Sequence, residues 1–204
     1  ADLTAQGVSF ASKSDSEILL RLYQRQGLEQ TLPLLRGEFA FALFDRTQDC
    51  LYLVRDRFGI KPQYWTLTPD GLVFGSELKV LFAHPAVERR FTSEGLFHQL
   101  MQTMVPGSTA FAGVYQVQPG HILKVQRRNG SLEISDSTYW DINFPRMDER
   151  DSTRHEADHV SAVRSALLEA VELRMVADVP VGCYLSGGID SCSILGLASA
   201  VSQG

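Results

Sequence analysis

Cysteine is scarce in this sequence, and the little there is lacks pattern. Cys50, Cys183 and Cys192 are the only three. They are odd in number and lack the short paired spacings of a zinc site, so neither a disulfide framework nor a structural metal is expected. Thiols this sparse fit a reducing, cytoplasmic setting. Long apolar runs are absent too: none approaches the roughly 20 residues that a membrane-spanning helix needs. Nor is positive charge in excess. Nineteen Lys and Arg against 24 Asp and Glu leave a net charge of −5, which argues against a nucleic-acid backbone or an anionic membrane surface as partner. The opening "ADLTAQGVSF" has no initiator Met, no basic stretch and no apolar core of a signal peptide. It reads as a chain entered partway through.

What is present describes a globular protein. The 204 residues are 44% apolar and 21% charged, enough for one large domain or two small ones. No internal repeat or low-complexity segment interrupts them. "SDSEILLRLYQRQG" (14–27) predicts a helix, with Ser14 and Glu17 as a capping box and Gly27 as its stop. "EFAFALFD" (38–45) predicts a strand buried on both faces, and "CLYLVRD" (50–56) a second strand paired with it. "PQYWTL" and "LVFGSE" flank the turn residues "TPDG", so residues 38–77 read as one antiparallel meander. Short helices are expected before Pro85 and over 93–104, and strands over "GVYQV" and "HILKVQ". The polar stretch 143–156 reads as a linker. Beyond it, Val160, Val163, Leu167 and Val171 step at helical spacing. "DVPVGCYL" then predicts a strand, with Cys183 a small buried residue in it, and "CSILGLASAV" a closing helix.

Between those last two elements lies "SGGIDS". A strand that turns through Gly187 and Gly188 into a helix presents free backbone N–H groups and the positive end of the helix dipole. Ser186 and Ser191 add hydroxyl donors, and Asp190 suits a Mg²⁺ ion beside a phosphate. The plain alternative is a strand-to-helix turn with Gly-Gly for geometry and Asp or Ser as its cap. No Lys follows the glycines as in a Walker A loop, and no G-x-G-x-x-G occurs, which disfavours an ordinary phosphatase or kinase.

"SGGIDS" resembles the pyrophosphate loop of the ATP pyrophosphatases. The longer "DVPVGCYLSGGIDSCSI" resembles that of the glutamine-hydrolysing asparagine synthetases. Upstream, "SDSEILL", "LRGEFAFALFD", "RDRFGIKPQYW", "VFGSELKVL", "QPGH" and "YWD" resemble, in order, stretches of that family's glutaminase domain, with Gln63 where Leu is usual. The resemblance implies an α+β N-terminal-nucleophile-type glutaminase domain of antiparallel sheets with helices over 1–142, lacking its N-terminus. A linker over 143–156 and the first helix-strand-loop-helix of an α/β ATP-pyrophosphatase domain over 157–204 would follow.

The resemblance assigns roles residue by residue. Asp15 would hold the α-ammonium of glutamine, although a carboxylate in the first turn of a helix is also favoured by the dipole. Leu185, Ser186, Gly187, Gly188, Asp190 and Ser191 would bind ATP and its pyrophosphate, with Mg²⁺ at Asp190. Cys192 replaces a frequent Ser. Arg55, Asp56 and Gly59 read as structural, fixing a turn and a contact between domains, as do Ser76 and Glu77. His155 and His159 share a helical spacing but lack a third ligand.

No catalytic residue is assigned. The family nucleophile is a first-position Cys, and here position 1 is Ala1. The implied cofactors are ATP and Mg²⁺, and the implied substrates glutamine, ATP and aspartate. A homodimer of the full-length protein is compatible with the resemblance. The segment alone is expected to have neither activity. The competing readings are a β-lactam-synthetase-like amide ligase and a non-catalytic nucleotide-binding relative.

Overall fold

The computed structural model describes residues 2–103, 105–149 and 153–202. Ala1, Met104, residues 150–152 of the expected linker, Gln203 and Gly204 lie outside the described residues. Two compact units are formed, residues 1–142 and 143–204.

In the first unit a one-turn helix, α1 (Asp2–Ala5), precedes α2 (Asp15–Thr31). Ser14 caps α2 by accepting the Ser16 amide at 3.3 Å. The expected capping box does not close, because Glu17 reaches upstream to the Ala11 and Ser12 amides instead of back to Ser14. Gly27 sits at φ 79 and ψ 174, so it breaks the helical path as its sequence position suggested. The chain resumes helical dihedrals beyond it and ends in a 3-10 turn, Leu32–Leu34.

Among the described residues seven strands follow, all paired antiparallel: β1 (Ala40–Asp45), β2 (Cys50–Arg55), β3 (Tyr64–Thr68), β4 (Gly71–Gly75), β5 (Val114–Gln116), β6 (His121–Arg128) and β7 (Ser131–Thr138). They form two sheets, β1-β2-β6-β7 and β4-β3-β5. The single meander over 38–77 is therefore corrected. Its two hairpins form, but they belong to different sheets. β2 already has β1 on one edge and β6 on the other, which leaves no edge for β3. The burial expected of β1 belongs to β2 instead. β1 is an edge strand with Phe44 55% exposed, whereas every β2 residue except Leu51 is buried.

The alternation of β2 builds the core. Cys50, Tyr52 and Val54 pack with Leu28 and Leu32 from the end of α2 and its 3-10 turn. Leu51 and Leu53 face the other way, into a cluster with Leu123 and Val125 of β6 and Trp65 and Leu72 of the second sheet. The unit is thus layered helix, sheet, sheet, which meets the α+β expectation for residues 1–142.

β7 was not anticipated. Its signal is Asn129-Gly130, at φ 50 and 82, between Arg128 and its partner Ser131. That is the two-residue turn whose twist suits a hairpin. Short helices α3 (Leu78–Leu81) and α4 (Ser93–Leu100) complete the unit. α4 ends earlier than the 93–104 expected, because Gln102 adopts φ 53 and reverses the chain.

The second unit contains a 3-10 turn at Met147–Glu149 and helices α5 (Glu156–Arg174) and α6 (Ile189–Ser202). His155 precedes α5, and its amide donates to Asp158 Oδ2 at 3.2 Å, so it caps the helix instead of sharing a face with His159. The strand expected over 178–185 is not formed. A lone extended run has no ladder partner, and no strand exists among the described residues of this unit. Cys183 is accordingly exposed, not buried as expected.

Candidate functional site

The loop before α6 brings its residues together. Gly187 lies at φ 83, in the left-handed region that a side chain rarely enters. This turn sets Ser186 Oγ 3.1 Å from Ser191 Oγ, and Ser191 Oγ also donates to the Gly188 carbonyl at 3.0 Å. The first helical bond, Cys192 N to Gly188 O at 3.1 Å, places Gly188 at the helix boundary. The N–H groups of the first turn have no intrahelical acceptor, so they and two hydroxyls converge at the positive end of a 14-residue helix. Residues 182–190 are exposed, open to a ligand from solvent.

Asp190 lies in that first turn. Among the described residues, no group of three or more His, Cys, Asp or Glu is placed to hold a metal. One carboxylate nevertheless fits Mg²⁺, which usually takes one or two from protein and completes its shell with water and substrate phosphate. Cys192 is exposed on α6. Leu185, 56% exposed, has its side chain largely in solvent.

Asp15 belongs to the other unit, where it is exposed in the first turn of α2. Its Oδ1 lies 3.4 Å from the Ser16 hydroxyl and 3.5 Å from that of Ser14. The neighbouring Glu17 is the more firmly tied of the two. It accepts from Ala11 N at 2.9 Å, Ser12 N at 2.7 Å and Ser12 Oγ at 2.7 Å, and pairs with Arg21 at 3.1 Å. These bonds, the Ala11 amide foremost, hold its carboxyl down at about 2. Because the folded-state pKa is depressed, this anchoring is complete above the ordinary value of 4.5 and is lost as pH falls toward 2. Amide exchange should therefore show Ala11 and Ser12 protected at about pH 6 and progressively unprotected below about pH 4. Glu17→Gln should remove that pH dependence.

Arg55 and Asp56 organise the turn between β2 and β3. Arg55 is 6% exposed and Asp56 1%. The guanidinium donates to the carbonyls of Lys61 (2.9 Å), Val117 (2.8 Å) and Gly59 (2.6 Å), and to Gln116 Oε1 (3.2 Å). Burial pushes its pKa down, against the pull of the Asp56 charge. Asp56 accepts the amides of Phe58, Ile60 and Lys61. Gly59 is required at the centre: its φ is 63, and a Cβ there would sit 2.8 Å from Pro119 and 3.0 Å from the guanidinium. Tyr139, its phenol raised to about 12 by burial, donates to the Arg55 carbonyl at 2.9 Å.

The Gln63 departure also has a structural account. Its Nε2 donates to the Phe41 carbonyl at 3.1 Å, linking the start of β3 to β1 across the two sheets. A Leu could not make that bond. Neither the Glu17 anchor nor the Gln63 link was read from the sequence. Both join residues whose spacing carries no motif.

The family of the glutamine amidotransferase domain matches residues 1–140, and that of asparagine synthase matches residues 162–204. Amidase chry2 of Gibberella zeae is 41% identical over 96% of this chain and 28% of its own length. Asparagine synthetase [glutamine-hydrolyzing] 1 of Bacillus subtilis is 39% identical over 97% of this chain and 30% of its own. Asparagine synthetase [glutamine-hydrolyzing] 3 of the same organism is 35% identical, over 97% and 31%. The chain thus spans under a third of the length of these relatives.

Proposed function

The chain belongs to the glutamine amidotransferase domain family, and from that premise we propose that it is part of a glutamine-dependent asparagine synthetase. Glutamine is hydrolysed to glutamate and ammonia, with Asp15 holding the α-ammonium. ATP and aspartate form an aspartyl-adenylate and release pyrophosphate. Ammonia then displaces AMP to give asparagine.

One observation carries this reading: an amidotransferase domain is followed in the same chain by a Gly-Gly loop whose two serine hydroxyls lie 3.1 Å apart at a helix N-terminus. Such a cluster suits a departing pyrophosphate, whose charge grows as the P–O bond breaks. Leu185 would approach the nucleotide through its backbone, and Ser186, Gly187, Gly188 and Ser191 would surround the phosphates. Asp190 would hold Mg²⁺, which neutralises phosphate charge.

A second reading has its own support, since a relative at 41% identity is named an amidase. On that reading the amide chemistry is kept but the acceptor is not aspartate. The β-lactam-synthetase-like ligase is one form of it. Adding candidate acceptor acids to the protein that contains these residues, with glutamine, ATP and Mg²⁺, separates the two. The synthetase reading expects AMP and pyrophosphate to appear in equal amounts only with aspartate. Formation with a different acid alone would favour the second reading, and formation with none would favour a non-catalytic relative.

A further inference from the structure

A cavity of about 500 Å³ lies in the first unit between α4, the segment 105–111 and strands β3 and β5. Its size is that of a small-molecule site. It shares no residue with Asp15. Gly95 lets α4 close over it, because a Cβ there would lie 2.8 Å from Ala110 Cα and from the Thr109 carbonyl.

The lining is polar yet almost without charge. Gln99, Gln102 and Gln116 contribute carboxamides, and Thr103 and Ser108 hydroxyls. Among the described residues no Lys, Arg, Asp or Glu lines it. The titratable side chains are Tyr64 and His98, and His98 Nδ1 is engaged by Thr103 Oγ1 at 2.8 Å. Phe91 and Phe111, stacked with centroids 4.6 Å apart, supply an apolar wall.

Gln102 is the informative residue. The α4 terminus is a Schellman turn: Thr103 N donates to His98 O and Gln102 N to Gln99 O. The left-handed position of that turn is one that glycine fills best, yet Gln occupies it at φ 53. A non-glycine side chain held in the left-handed region, and lining a cavity, points to use.

We propose that this cavity binds a small uncharged molecule presenting a planar carboxamide or lactam edge beside an apolar face. A carboxamide both donates and accepts, so Gln99 and Gln102 can pair with the ligand's edge in both directions, whereas Gln116 Oε1 already accepts from the Arg55 guanidinium at 3.2 Å and leaves its Nε2 to donate. A charged ligand would lose its hydration without a counter-charge. The inference is independent of the reaction proposed above.

Benzamide is the probe, with benzoate as its charged isostere, titrated into the protein that contains this chain and followed by ligand-observed NMR. Benzamide should bind about tenfold or more tighter than benzoate. Gln102→Gly should weaken benzamide about fivefold or more with a thermal midpoint no lower than that of the parent, since glycine relieves the left-handed strain. Gln99→Leu should weaken it comparably. The proposal is overturned if benzamide does not bind, if benzoate binds equally well, or if Gln102→Gly and Gln99→Leu both leave benzamide binding unchanged.

Discussion

Asp190→Asn is expected to lower ATP-dependent pyrophosphate release by about a hundredfold or more, the scale of losing one charge-organising group at a reacting phosphate. The substitution keeps the side chain's size and removes its charge. Helix α6 should survive, because Asn is tolerated early in a helix and the lost dipole interaction is only about 0.3–1 kcal/mol. Asp190 is exposed, and among the described residues no hydrogen bond or ion pair engages its carboxylate. A large loss of turnover with an unchanged far-ultraviolet circular dichroism spectrum would mark a functional carboxylate. Undiminished pyrophosphate release at saturating Mg²⁺ would leave Asp190 only a helix-terminus role. Glutamine hydrolysis measured without ATP should be nearly unaffected.

The second large effect falls on stability. Arg55→Met should destabilise the fold by about 3 kcal/mol or more, because it strips the donor from three carbonyls and from Gln116 in a buried turn. The aliphatic volume is kept, so the loss reports hydrogen bonds more than packing. The Asp56 carboxylate, 1% exposed, would also lose the attraction of the Arg55 charge. Arg55→Lys should recover little, since one ammonium cannot reach acceptors fanned around a planar guanidinium. Urea unfolding of the 204-residue chain provides the measurement. At a slope of about 2 kcal/mol per molar, the midpoint should fall by about 1.5 M. A fall under about 0.5 M would mean that the turn is held by the Asp56 contacts alone.

Where the sequence was legible, local chemistry decided the outcome. The Ser14 cap, the break at Gly27, the hairpin turns at 46–49 and 69–70 and the helix over Val160 to Val171 all follow from neighbours in the chain. Sheet membership did not, because it depends on which strand edges are already taken. β2 and β3 look like consecutive meander strands, yet β6, some 70 residues downstream, occupies the edge that β3 would need. β7 carries little periodic signal because only Leu132 and Ile134 are apolar in it, and Asn129-Gly130 is the local mark of its hairpin.

The candidate sites divide in the same way. The loop residues Ser186 to Ser191 are contiguous, so their mutual placement follows from a short motif. The expected strand before them fails because a strand is not a local object. The cavity under α4 gathers Tyr64, Phe91, residues of α4, Gln102, Phe111 and Gln116, and no spacing rule joins those positions. Its one local signal was Gln102 at a helix end where glycine would be expected, and that signal becomes visible only once φ is known.

In the proposed reaction the amidotransferase domain feeds nitrogen to an acceptor activated in the domain that begins after it. The most direct test supplies glutamine labelled with ¹⁵N in its side-chain amide to the protein containing this chain, together with ATP, Mg²⁺ and aspartate. The account predicts ¹⁵N in the side-chain amide of asparagine, with one AMP and one pyrophosphate formed for each label transferred. Label released only as free ammonium, with no labelled amide and no AMP, would contradict it.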